Sequence, residues 1–173
     1  MEREFSSIQA DFTPETTVQF RSRSRKLIKS ANLYKPESMG FENDPHVTIL
    51  YGLHDTNPPL CGTDIIETHP KFNITLGNVS LFKGDETGDL HDVVKAEINS
   101  SDVYALNAAL ADVCDHTAKF PEYIPHATIA FVKKDTCDYL DGANVMAGIS
   151  FMVDHLVYSS RNGLHRFLFL GRK

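Results

Sequence analysis

"DPHVTIL" at residues 44–50 returns as "IPHATIA" at residues 124–130. The shared pattern is Pro-His-x-Thr-Ile, with the two histidines eighty positions apart at His46 and His126. His and Pro each fill only 8 of 173 positions, so chance accounts poorly for four matched residues in five. Both copies are β-branched and apolar enough to be strands. In a strand, residues i and i+2 project to the same side. His46 and Thr48 therefore share a face, as do His126 and Thr128. Val47, Ile49, Ala127 and Ile129 point the other way and suit a core. One copy offers an imidazole beside a hydroxyl, which is half of a site.

Two halves face to face supply two imidazoles and two hydroxyls around one cavity. An unperturbed imidazole pKa of ~6.5 lets one ring be neutral and the other protonated near neutral pH. Breaking a P–O bond by in-line attack asks for that pair. A neutral ring takes the proton of the attacking oxygen, and a charged ring gives one to the departing oxygen. The hydroxyls of Thr48 and Thr128 can donate to non-bridging phosphate oxygens, where charge grows during attack. That chemistry needs no metal or other cofactor. Which ring is acid and which is base stays open at this level.

The composition bounds the setting. A chain of 173 residues, 42% hydrophobic and 23% charged, is that of an ordinary globular protein, simplest as one domain. A net charge of −6 excludes a broad basic surface that coats nucleic acid, though not a local pocket for a phosphate-bearing ligand. The basic run "RSRSRK" at 21–26 wraps around a helix and reads as a solvated face. No stretch suits a bilayer span, and "MEREFSSIQADF" lacks the basic and apolar segments of a secretory signal. The expected location is the cytoplasm. Cys61, Cys114 and Cys137 are scattered, without zinc spacing, and read as reduced thiols.

Along the chain, residues 4–12 read as a first strand, and Thr13 with Pro14 open a helix reaching about Ser30. Strands are expected at 46–53, 71–82, 92–99 and 126–132, and a short helix near 62–68. Ser100 or Ser101 caps a helix through "DVYALNAALADVC", and "KGDETGD" is a polar loop. The tail from "ISFMV" to "RFLFL" reads as a hairpin turning at "RNG". Strands interspersed with helices indicate an α+β, mixed α/β fold. No linker divides the chain, so residues 1–173 form one domain of two lobes, about 1–60 with the C-terminal hairpin and 70–135.

Paired His-x-[ST] motifs about eighty residues apart in a small chain of this kind resemble the two-histidine (2H) phosphoesterase superfamily. That family includes LigT-like 2′-5′ RNA ligases, cyclic phosphodiesterases and viral enzymes that degrade oligonucleotide signals. The resemblance implies a bilobal fold with pseudo-twofold symmetry. Its cleft lies between two small antiparallel or mixed sheets, with helices outside. It implies His46 and His126 as the catalytic pair and Thr48 and Thr128 as phosphate-binding hydroxyls. The expected partner is a nucleotide or short oligonucleotide, cleaved without metal. The runs "PHVTILYGLH", "DVVKAEI", "SSDVYALNAAL", "IPHATIAFVK" and "VDHLVYSSRNG" are similar to bacteriophage members. That finer likeness implies a phage enzyme in the host cytoplasm, acting on host defence cyclic nucleotides or RNA ends.

Softer candidates for substrate contact are Lys95, opposite in parity to Val94 and Ala96, and the loop residues Tyr123 and Tyr34, on which bases could stack. Three other readings keep the same residues. RNA-end processing, by a 2′-5′ ligase or cyclic phosphodiesterase, would use the same cleft. The histidines could instead hold a metal, with Asp44 or His54 completing the set. A binding module would retain phosphate ligands without turning them over. Loops 31–45, 54–63 and 83–91 are expected to set selectivity.

Overall fold

The structure, a computed structural model, describes residues 3–35 and 39–173. Pro36, Glu37 and Ser38, in one of the loops expected to set selectivity, lie outside the described residues, as do Met1 and Glu2. In chain order the elements are β1 (Ser6–Asp11), α1 (Pro14–Leu27), β2 (His46–Leu53), α2 (Leu60–Thr68), β3 (Phe72–Phe82), α3 (Gly84–Thr87), β4 (His91–Ile98), α4 (Ser101–Val113), β5 (His126–Lys133), β6 (Ser150–Val153), β7 (His155–Ser159) and β8 (His165–Phe169).

Local chemistry explains most of these boundaries. Thr13 Oγ1 accepts from the Thr16 amide at 3.3 Å, and Pro14 fills the first turn, where no N–H is needed. The helix stops at Leu27, earlier than expected, because Ile28 returns to extended backbone and buries its side chain. Ser100 Oγ caps α4 through the Val103 amide at 3.3 Å. The polar loop after β3 is tighter than expected. It holds the four-residue α3, closed by Gly88 at φ 81°, where a residue without Cβ is unstrained. The expected terminal hairpin is also divided. β7 and β8 do form a hairpin turning between Ser159 and His165, but β6 leaves to pair with β3.

The strands form one eight-stranded sheet in the order β6-β3-β4-β5-β2-β1-β7-β8, antiparallel at every neighbour. The α+β class is as expected, and the two small sheets of the expected cleft are the halves of this continuous ladder. The halves meet between β2 and β5 through one pair, Val47 with Ala127. Each half carries the same unit: strand, helix, then a Pro-His-x-Thr strand. β1-α1-β2 is the first and β4-α4-β5 the second. A repeated supersecondary unit is thus why the motif is written twice so far apart.

Ile8, Ala10, Val47, Ile49, Val94, Ala96, Ala127 and Ile129 are each 0% exposed and share one core with Phe20 of α1 and Leu106 and Leu110 of α4. Each fully buried Val or Ile contributes about 1.5–3 kcal/mol. The helices cover this face, and the alternate residues of the central strands are left on the other. Among the described residues no helix is long and apolar enough to cross a membrane.

Candidate active site

The pair Val47–Ala127 decides what the two motifs can do together. In an antiparallel ladder, stepping forward on one strand steps backward on the other. His46 therefore lies across from Thr128, and Thr48 across from His126. Directly opposed Cβ atoms are ~4.5–5.5 Å apart and diagonal ones ~7–8 Å. The two imidazoles are the diagonal pair, with a hydroxyl across the ladder from each. All four side chains are half-buried, between core neighbours with no exposure.

Each ring is held by the same contact. His46 Nδ1–H donates to the Asp44 carbonyl at 2.8 Å, and His126 Nδ1–H donates to the Ile124 carbonyl at 2.7 Å. A carbonyl only accepts, so both rings carry their proton on Nδ1 when neutral, leaving the Nε2 lone pair for chemistry. The acceptor sits two residues before the histidine in both copies, across the proline. Proline fixes its own φ and keeps the residue before it extended, which aims that carbonyl back at the ring. The tautomer is thus set by the carbonyl two residues before each ring, a contact His116 also makes, to Cys114 at 2.9 Å, without a proline between.

The neighbouring strands repeat the symmetry. On β1, Asp11 pairs with His46 and Gln9 with Thr48. On β4, Glu97 pairs with His126 and Lys95 with Thr128. Each histidine thus has a carboxylate across one ladder, and each threonine a nitrogen-bearing side chain. Beside His46 opens a cleft of about 400 Å³, lined among others by Arg3, Gln9, Asp11, Glu42, Asp44 and His165. On the His126 side, Phe82 meets the ring edge-on with centroids 5.0 Å apart. The half-buried His126 is held below the ordinary histidine value. Burial is the main cause, and the Lys95 and His46 charges add to it against the opposing bond to Ile124.

The softer candidates fall in three different places. Lys95 is 4% exposed, with Nζ 2.5 Å from Ser80 Oγ and 4.3 Å from the centre of the Phe82 ring. Burial lowers its pKa, while Glu97 and Asp141 act in the other direction. Tyr123 donates its hydroxyl to the Thr48 carbonyl at 2.8 Å, so it braces the strand of the first motif. Tyr34 stacks on His91 at 5.1 Å, and its amide donates to the Phe131 carbonyl, three residues beyond Thr128. Asp11, Gln9, Glu97, Phe82 and His165 escaped the sequence reading, because only strand register and the sheet's curl bring them to the motifs.

The residues proposed to complete a metal set have other partners. His54 bonds Asp115 at 2.9 Å and Thr117 at 2.8 Å. The Asp44 carboxylate is exposed, 3.5 Å from Arg21, while Arg21 and Arg25 of the basic run bond Asn43 and tie α1 to the loop before His46. Among the described residues, Asp92, Asp135 and Asp138 gather closely enough for an ion. The Lys83 ammonium already bridges them at 2.8, 2.7 and 2.6 Å. Buried Asp92 also accepts from the Gly84 and Asp135 amides at 2.8 and 2.9 Å. Burial alone would raise this carboxyl, but the Gly84 amide, Lys83 and the Asp135 amide hold it below the usual carboxylate value.

A family model described as the 2′-5′ RNA ligase superfamily matches residues 61–164, taking in the second motif and starting after the first. No curated protein matches the sequence. Among solved structures, E. coli LigT complexed with ATP is similar with a TM-score of 0.62 at 16% identity, over 98% of this chain and 96% of that one. TT0787 of Thermus thermophilus gives 0.59 at 16%, over 96% and 98%. Kluyveromyces marxianus Usb1 with uridine monophosphate gives 0.61 at 8%, over 98% and 100%. At such identities the likeness is one of fold.

Proposed function

Because the chain belongs to the 2′-5′ RNA ligase superfamily, we propose that it is a phosphodiesterase that cleaves a phosphodiester in a nucleotide-derived substrate by two-histidine acid–base catalysis. The observation that carries this reading is the single bridge that sets His46, Thr48, His126 and Thr128 around one point of the sheet, with both Nε2 atoms left for proton transfer. One ring accepts the proton of the attacking oxygen while the other supplies one to the departing oxygen. Thr48 and Thr128 donate to the non-bridging oxygens. These four side chains supply proton transfer and anion binding by themselves, so the reaction is written without a metal. A nucleotide-derived substrate is supported by the ATP and uridine monophosphate held by LigT and Usb1, which share the fold.

Candidate substrates are cyclic oligonucleotide signals, 2′-5′-linked oligonucleotides and 2′,3′-cyclic phosphate ends, met in the cytoplasm. Degradation of a host's defence nucleotides by a phage enzyme is one form of this proposal. Attack by water gives hydrolysis. Attack by a neighbouring 2′-hydroxyl gives a cyclic phosphate with the same residues in the same roles. The test is incubation with excess chelator against linear 2′-5′ oligoadenylates, cyclic di- and trinucleotides and 2′,3′-cyclic ends, read by product mass. Cleavage that survives chelator and disappears in His46→Ala and His126→Ala supports the reading. Tight binding of such ligands with every ester left intact would favour a binding module instead.

A further inference from the structure

The pseudo-twofold symmetry that makes the two histidines alike is broken on the strands that flank them. Across from Thr48 stands Gln9, which is neutral and bonds Asp11 at 2.7 Å. Across from Thr128, at the corresponding position, stands Lys95. It is 4% exposed, and its contacts are the Ser80 hydroxyl and the face of Phe82 rather than a carboxylate. The same Phe82 ring meets His126 edge-on, so one aromatic ring touches both the cation and the imidazole. A charge acts more strongly where burial lowers the local dielectric. On the other side, with His46, the cleft is lined by the carboxylates Asp11, Glu42 and Asp44 and by one cation, Arg3, with Arg21 3.5 Å from Asp44.

We propose that Lys95 is a positioning residue that gives the site its polarity, making His126 the base and His46 the acid. The proposal rests on the cleavage reading above. In the step it describes, His126 Nε2 takes the proton of the attacking hydroxyl as that oxygen bonds to phosphorus. The opposite P–O bond breaks, its electron pair goes to the departing oxygen, and His46 Nε2–H supplies the proton. Turnover leaves His126 charged and His46 neutral, and exchange with water resets both.

The charge state of His126 is set by the groups that face it. From β4 these are Lys95 and Glu97, from β2 His46, and from β3 the uncharged Phe82. Glu97 opposes Lys95 in sign, but its side chain lies in solvent and is screened. Lys95 and His46 both push His126 toward the neutral form, in the same direction as burial.

Lys95→Met keeps the length of the buried side chain and its packing on Phe82, and thermal melting checks its fold. Losing the cation makes His126 easier to protonate, so the acidic limb of the kcat/KM profile should move to higher pH while the basic limb stays. The ratio of kcat/KM at pH 5.5 to that at pH 7.5 should fall about threefold or more, as expected for a buried charge one strand away. The His126 ring, followed by NMR titration in the ligand-free protein, should move the same way. Glu97→Gln should leave the acidic limb in place. A shift of the basic limb in Lys95→Met, or unmoved limbs with an unmoved ring, overturns the proposal and leaves cleavage standing. So does an equal shift in Glu97→Gln. A wild type that cuts none of the esters overturns the cleavage reading, and this proposal with it.

Discussion

Replacing the two histidines singly and together separates a shared proton relay from two independent contributions. Each ring adds one hydrogen bond to the fold, from Nδ1–H to the Asp44 or Ile124 carbonyl. Such a bond is worth about 0.5–1.5 kcal/mol, and both carbonyls can bond water once the ring is gone. The strands themselves are held by Val47, Ile49, Ala127 and Ile129, which alanine at the histidines leaves untouched. Either variant should therefore lose at most about 1.5 kcal/mol of stability, read from urea melts. A positioned acid or base contributes ~10²–10⁴ in rate, so kcat should fall by that factor in each variant with little change in KM. The rings act on one phosphorus centre in one transfer, so the double variant should lose far less than the product of the single losses. The assay is single-turnover cleavage of whichever ester the panel identifies, at pH 7.5. Either single variant retaining more than about a tenth of wild-type kcat refutes the reasoning, and so does full multiplicativity in the double.

Three further outcomes follow from contacts in the structure. Thr128→Val, nearly isosteric, removes one donor to the non-bridging oxygens and should lower kcat by ~10²–10³ without changing the melting midpoint. Tyr123→Phe loses the bond to the Thr48 carbonyl and should cost about 0.5–1.5 kcal/mol in urea unfolding, with cleavage reduced only modestly. Asp92→Ala leaves the buried Gly84 amide and the part-buried Asp135 amide without their carboxylate and should cost about 2–4 kcal/mol. The native Asp92 carboxyl is held low, so the unfolded chain binds its proton first as pH falls. The stability it lends is fully present above ~4 and lost as pH drops through the folded value. Asp92→Ala should accordingly show a shallower loss of stability as pH falls below ~4, measured by denaturant titration.

Much of this protein is legible without coordinates because its decisive signals are local. The period of two put His46 with Thr48 and His126 with Thr128, since alternate projection is a property of any extended chain. Thr13-Pro14 and Ser100 marked two helix starts, because a cap is made by residues within one turn of it. The repetition of Pro-His-x-Thr pointed to a two-part site, and the carbonyl that accepts from each Nδ1 belongs to the residue just before the proline. What only tertiary structure decided are pairings between strands far apart in sequence. Register set Thr128 across from His46, Asp11 and Glu97 across from the two rings, and Lys95 where Gln9 stands in the other half. A slip of one residue would have turned each of those side chains to the opposite face. Burial of Lys95 behind Phe82 is likewise a property of the assembled sheet, because a chain in water gives a lysine no reason to prefer one histidine over another.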